Sequence, residues 1–339
     1  MLRIVGDINL TDSDFNVGFG IGNKLANGFD PLADVIDDIN VWIGNFEGVS
    51  SDISDNEGIY SNKFRVSPSL ISHIKHCNYY GVANNHVMQH GRNAYNNTIK
   101  TIAANCDGYF GSNNQKTLFF EHQDKKISIT CFSLRIEEFP FEPLYWHSPE
   151  LFKIKGEIDS IEPDCFKIIY IHWGNEFVDR PSTEQKRLAR WLVDVGFDLV
   201  VGMHPHVLQG FEIYKSKFIF YSIGNFVFDM AWEPTKFGAI VNVDFKDGHP
   251  IVTYNYIKIG NDYKPRVISE DKVPDRLRFN YLNNQLMVDL NPEVFNKLVV
   301  AAYKKYRRAN RKNILLSLCN HPILGIEILK EFFNRKLFR

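Results

Sequence analysis

A chain of 339 residues, 44% of them hydrophobic, is long enough to bury one large core, or one domain with an extension. Its formal net charge of -1 selects no partner by charge alone, and no run of apolar residues reaches the roughly 18 that a membrane-spanning helix needs. The five cysteines, Cys77, Cys106, Cys131, Cys165 and Cys319, are odd in number, widely spaced and without a Cys-x-x-Cys pair, which argues against a disulfide framework or a cysteine zinc site and for a reducing compartment.

Taken in chain order, apolar runs predict strands near 2–5, 41–44, 78–83, 117–121, 127–134, 167–173, 198–204, 218–223, 239–245 and 251–259. Arg3 and Asp7 interrupt the first run, so it reads as a strand and not as a secretory leader, and the expected location is the cytoplasm. Ser182 and Gln185 form a capping-box pair that opens a helix with Leu188, Trp191, Leu192 and Val195 on its apolar face, and Gly196 ends it. Strand and helix alternate up to residue 204, and strands dominate after that.

The texture changes after about residue 275, which divides the chain into a domain over 1–275 and a basic helical extension over 276–339. Residues 291–339 hold eleven Lys or Arg against three Glu. Helices are expected over 293–312 and 323–338, the second with Ile323, Leu324, Ile326, Ile328, Leu329, Phe332, Phe333 and Leu337 as its apolar residues. An appendage packed on the domain with a solvated basic face is one reading, and peripheral membrane contact is the other. Nucleic acid is not expected, because no recognised binding motif accompanies the charge.

Polar clusters stand where apolar runs end. Leu2-Arg3-Ile4-Val5 runs into Gly6-Asp7-Ile8-Asn9, Val41-Trp42-Ile43 into Gly44-Asn45-Phe46-Glu47-Gly48, and Tyr79-Tyr80-Gly81-Val82-Ala83 into Asn84-Asn85-His86. Ile168-Ile169-Tyr170-Ile171 runs into His172-Trp173-Gly174-Asn175-Glu176, and Asp198-Leu199-Val200-Val201 into Gly202-Met203-His204-Pro205-His206. Strand ends are where α/β proteins build their sites, and the side chains gathered here are those that a pair of divalent metals takes. Pro205 stiffens the last turn, so both flanking imidazoles leave it in fixed directions. Trp173 reads as packing.

These motifs, with Val207-Leu208-Gln209 and Tyr221-Ser222-Ile223-Gly224-Asn225-Phe226-Val227-Phe228-Asp229, resemble the capsule-synthesis CapA family of the calcineurin-like metallophosphatase superfamily, over about residues 1–270. The resemblance implies an α/β (α+β) fold, a four-layer two-sheet β-sandwich flanked by helices, with the helical extension appended. It implies one or two divalent ions, manganese, iron or zinc. Glu47 would bridge two sites, Asp7 and His206 completing one and Asn85, His172 and His204 the other. His86 would act as a general acid or stabilise phosphoryl oxygens. Glu176 is expected to orient His172 from behind, and Asn225 to stand at the site on its strand end.

Two positions depart from the pattern. Asn9 stands where the superfamily usually has a histidine, which should weaken one metal site. Gln89 stands where the family has an aspartate, which should leave His86 a poorer proton donor unless His90 compensates. Asp229 and Gln209 receive no role. The function implied is phosphoester hydrolysis in the synthesis of a capsule or other surface polymer. The partners would be a phosphorylated small molecule or polymer precursor and other capsule-synthesis proteins. A non-catalytic assembly subunit and amide-bond chemistry on a polyglutamate chain are the alternatives.

Overall fold

In the computed structural model, which describes residues 1–320 except 14, 15, 136–138 and 140, and beyond them 322, 326 and 330, the apolar runs form strands in two sheets. The strands are β1 (Leu2–Ile8), β2 (Val41–Phe46), β3 (Val49–Ser50), β4 (Arg65–Val66), β5 (Tyr79–Gly81), β6 (Gly108–Phe110), β7 (Thr117–His122), β8 (Lys125–Ser133), β9 (Phe166–His172), β10 (Leu199–Met203), β11 (Phe211–Tyr214), β12 (Lys217–Phe220), β13 (Asn225–Val227), β14 (Phe237–Lys246), β15 (His249–Ile259) and β16 (Pro265–Ile268). The helices are α1 (Ile21–Leu25), α2 (Pro68–Ile71), α3 (Arg92–Asn105), α4 (Leu151–Asp159), α5 (Thr183–Asp194), α6 (Phe279–Leu286), α7 (Pro292–Ala309) and α8 (Arg311–Asn320).

One sheet runs β16-β15-β14-β1-β2-β5-β6, with β13 also beside β1. The other runs β11-β12-β10-β9-β8-β7. Strands β1, β2, β5 and β6 are mutually parallel, as are β8, β9, β10 and β12. Because side chains alternate along a strand, the second sheet has two apolar faces. Ile168, Tyr170, Leu199, Val201 and Phe220 join Ile4, Ile43 and Val241 of the first sheet in one buried core. Their neighbours Ile169, Ile171, Val200, Ile219 and Tyr221 pack on Ile154 and Ile158 of α4 and Ala189 and Leu192 of α5. The two-sheet sandwich flanked by helices is therefore the fold, and the capping box of Ser182 and Gln185 starts α5 as the sequence predicts.

Six short strands lie outside the runs predicted from the sequence: β3 and β4, of two residues each, and β6, β11, β13 and β16, of three or four. The expected helix over 293–312 is two helices. Asn310 breaks it: its buried side chain donates to the carbonyl of Tyr306 at 3.1 Å, the local competition with backbone bonding that disfavours asparagine inside helices. Phe295 and Tyr306 of α7 are buried while Lys297, Lys304, Lys305, Arg307 and Arg308 are exposed, so this helix packs on the domain and turns a basic face to solvent. The expected helix over 323–338 lies outside the described residues, Ile326 and Lys330 apart. Phe279 and Leu282 of α6 belong to the main core. Among the described residues no helix is long and apolar enough to cross a membrane.

Candidate metal centre

The parallel strands of both sheets deliver their C-terminal ends to one place. Strand β10 ends at Met203, and the chain then passes through His204 at φ 91, Pro205, and His206 at φ 57. Left-handed backbone is costly for residues other than glycine, of order 1 kcal/mol or more each, and persists where the surroundings impose it. Here the His204 amide donates to Asp7 Oδ2 at 3.1 Å and the Phe177 amide to the Pro205 carbonyl at 2.8 Å. Gln209, without a role in the sequence reading, donates its Nε2 to the Val178 carbonyl at 2.8 Å and ties the same two loops together. Gly202 is obligatory before the turn, since a Cβ there would lie 2.1 Å from the Tyr221 carbonyl oxygen. Trp173 donates to that same carbonyl at 2.9 Å and is a packing residue.

Six of the expected residues converge. Asp7, Glu47 and His206 form one triplet of possible ligands and Glu47, His172 and His204 another, with the ligand atoms of each triplet within 4.8 Å of one another. Glu47 is common to both. Asn85 joins the second group, its Oδ1 lying 2.8 Å from His172 Nε2, which is 3.0 Å from His204 Nδ1. Both carboxylate oxygens of Glu47 and the Nε2 of His204 are fully buried without a hydrogen-bond partner. Buried polar atoms are ordinarily paired, so these three orphaned atoms, all good ligands for a divalent ion, fit a metal centre.

The electrostatics agree with that donor set. Burial drives His172 and His204 well below the ordinary histidine range, helped by neighbouring histidines and the charge of Arg135, so both are neutral imidazoles with a lone pair to give. Burial opposes the charge of Asp7, but His206 and His172 outweigh it and hold the carboxyl low. His206 is raised in turn, since Asp7 overcomes its burial. Glu47 is pushed well above the usual carboxylate range by burial and then by Asp7 and Glu176. A buried carboxyl that resists ionisation beside acceptors calls for cations.

The surrounding residues set the orientation. His206 Nδ1 lies 2.9 Å from Asn225 Oδ1, which leaves Nε2, 3.7 Å from Glu47 Oε1, facing the centre. Asn225 therefore holds a histidine and is set behind it. Asn45 stands beside His172, with Nδ2 2.8 Å from Asp7 Oδ1 and 3.5 Å from His172 Nδ1, while Glu176 contributes negative charge felt by Glu47 and His206. Asn84 donates to Asn45 Oδ1 at 3.1 Å and completes the chain of amides. Asn45 and Asn84 both follow apolar runs in the sequence, but nothing in a single sequence separates an amide that orients from one that forms a turn.

The two departures from the family pattern have different outcomes. Gln89 Oε1 accepts a hydrogen bond from His86 Nδ1 at 2.8 Å, so this position fixes the ring without supplying a carboxylate charge, with Nε2 3.8 Å from Glu47 Oε1. His90 does not compensate, for its nitrogens face Ser54 Oγ at 2.8 Å and the Lys63 carbonyl at 2.6 Å. Phe64 stacks on His86 with ring centroids 3.7 Å apart, a contact the sequence did not announce. Asn9 spends its Oδ1 on the amide and hydroxyl of Thr11, at 2.7 and 2.6 Å, and supplies no oxygen to the centre.

A model of the family described as bacterial capsule synthesis protein PGA_cap matches residues 2–230. The chain is similar to the capsule biosynthesis protein CapA of Bacillus anthracis, 46% identical over 93 residues, which are 27% of this chain and 21% of that protein. It is similar to the PGA biosynthesis protein CapA of Bacillus subtilis (strain 168), 32% identical over 184 residues, 48% of this chain and 46% of that one. It thus spans less than half the length of either. A crystal structure of 5'-nucleotidase from Candida albicans SC5314 superposes with a TM-score of 0.44 at 15% identity, covering 92% of this chain and 58% of that one.

Proposed function

We propose that this chain, which belongs to the bacterial capsule synthesis protein PGA_cap family, is a metal-dependent phosphoester hydrolase of surface-polymer synthesis. The reading rests above all on Glu47, a wholly buried carboxylate with two unpartnered oxygens shared between two groups of ligands. Asp7, Glu47 and His206 would hold one divalent ion and Glu47, Asn85, His172 and His204 the other. Ions bound there would lower the pKa of water and polarise a phosphoryl group.

The remaining steps belong to the protein's own groups. The half-buried His86 directs its Nδ1 proton to Gln89, and its Nε2, 3.8 Å from Glu47 Oε1, would give a proton to a leaving oxygen or bond a phosphoryl oxygen. Phe64 holds its plane. Asn225 and Asn45 keep His206 and Asp7 directed inward. The substrate would be a phosphorylated small molecule or a precursor of the polymer.

Metal analysis of the purified protein, with a panel of phosphomonoesters and phosphodiesters in added manganese, tests the proposal. Bound divalent metal and turnover are expected, with His206→Ala losing both one ion and the activity. Metal without turnover on any ester would favour the non-catalytic assembly subunit, and release of glutamate from a polyglutamate chain the amide reading. Turnover untouched by His206→Ala would mean that the hydrolysis arises elsewhere.

A further inference from the structure

Arg135 lies close enough to this centre for its charge to act on His172 and His204, and among the described residues it has no counter-charge. It follows β8, whose last residue Ser133 is paired in register with His172 on the parallel neighbour β9. Two residues further on, its Nη1 donates at 2.6 Å to the carbonyl of Gly174, midway between His172 and Glu176 in the chain. Its backbone is fixed on both sides: the amide donates to Ser133 Oγ at 3.2 Å and the carbonyl lies 2.7 Å from His147 Nε2. The side chain is partly buried, and Nε is fully buried with no partner. Among the described residues no carboxylate pairs with the guanidinium.

Such a group is costly to keep. A desolvated cation ordinarily finds a carboxylate, as the half-buried Lys217 does in meeting Asp198 at 2.6 Å. An arginine at the centre also works against the structure, since its charge burdens the neighbouring histidines. The guanidinium fork, with one arm anchored and the rest unpaired, matches the two-oxygen edge of a phosphate or carboxylate.

We infer that Arg135 is the oxyanion clamp of the substrate site, a binding and specificity residue that seats an anionic group of the substrate beside the metal centre. The inference deepens the phosphoester reading and rests on it for the identity of the substrate. The anionic group is either the reacting phosphoryl itself or a second anion, a carboxylate, carried by the same molecule.

The test compares binding of inorganic phosphate and of glutarate by calorimetry to the metal-loaded protein and its Arg135→Gln and Arg135→Lys variants, with metal content measured on each. Arg135→Gln is expected to keep its metal and weaken at least one probe by roughly 10- to 100-fold, the usual worth of a charge-assisted bond. Arg135→Lys, which keeps the charge and loses the fork, is expected to fall between. Loss of phosphate binding alone puts the clamp on the phosphoryl group, and loss of glutarate binding alone puts it on a carboxylate. Unchanged affinity for both, or no binding of either by the native protein, overturns the clamp. Dependence on Arg135 in a protein that hydrolyses no phosphoester would sink the proposed function and leave the clamp standing. Should Arg135→Gln fail to fold, Arg135→Lys decides, since phosphate and glutarate affinities equal to the native protein's refute the fork.

Discussion

At the scale of single residues, the family pattern is altered at two places and the geometry treats them unequally. Gln89 retains the hydrogen bond to His86 Nδ1 but not the negative charge that would stabilise an imidazolium. His86→Asn should leave the metal content intact and lower turnover by about a hundredfold, the worth of a positioned acid. Gln89→Ala, which frees the ring, should cost about tenfold, with steady-state kinetics and elemental analysis as the joint readout. An unaltered rate in both variants would remove His86 from the chemistry. Asn9 is lost more completely, because Thr11 occupies its oxygen. The group of Asp7, Glu47 and His206 is then short of a donor, and elemental analysis after dialysis should find about one tightly held ion per chain. Two tightly held ions would contradict that ligand count.

At the scale of elements, the loops leaving β1 and β13 are sewn together by Asp229. Its Oδ2 accepts from the Ser13 amide at 3.1 Å and its carbonyl from Asn16 Nδ2 at 2.8 Å. Burial, and then the charge of Asp12, pushes the Asp229 carboxyl up to about 7. Between the unfolded value of 3.8 and that folded value the native state binds the extra proton, so stability present at low pH is lost as pH rises through this window. Asp229→Asn should flatten that loss by on the order of 1–3 kcal/mol, measured by urea unfolding at pH 4 and pH 8. A variant with the same pH slope as the native protein would show that Asp229 is already ionised.

The elements also explain what a sequence can disclose. Asp7, Glu47, His172 and His204 were legible because each follows a long apolar run, and both signals are local. Strand β13 was not, for Asn225-Phe226-Val227 is extended because it lies parallel to β1, with Asn225 opposite Asp7, a partner far away in the chain. The orienting role of Asn45 depends on the same long-range closure. Arg135 carried no motif at all, and what marks it is three-dimensional: an arm tied to the Gly174 carbonyl and a buried Nε without a partner among the described residues.

At the scale of the whole molecule, the basic extension reaches the centre through its aromatic face. Tyr306 of α7 stacks on Phe177 with centroids 3.8 Å apart, and Phe177, at φ 67, directly follows Glu176 and lies beside His206. Phe64 and Phe228 belong to the same buried cluster. Tyr306→Ala should therefore destabilise by about 2–4 kcal/mol, as large-to-small changes of buried aromatics do, and chains cut before residue 291 should lose metal on dialysis more readily than the full chain. A truncated chain of native stability that has only lost sedimentation with anionic vesicles would restore the membrane reading of that helix. The residues of the candidate metal centre come from the ends of strands in both sheets, from Asp7 to His206. An ion held there would cross-link the two halves of the sandwich, a link absent from the unfolded chain. Chelation should accordingly lower the melting temperature of the entire domain and speed its proteolysis, with each factor of ten in free metal above the dissociation constant adding about 1.4 kcal/mol, so that metal supply would set how long the protein survives as well as whether it works.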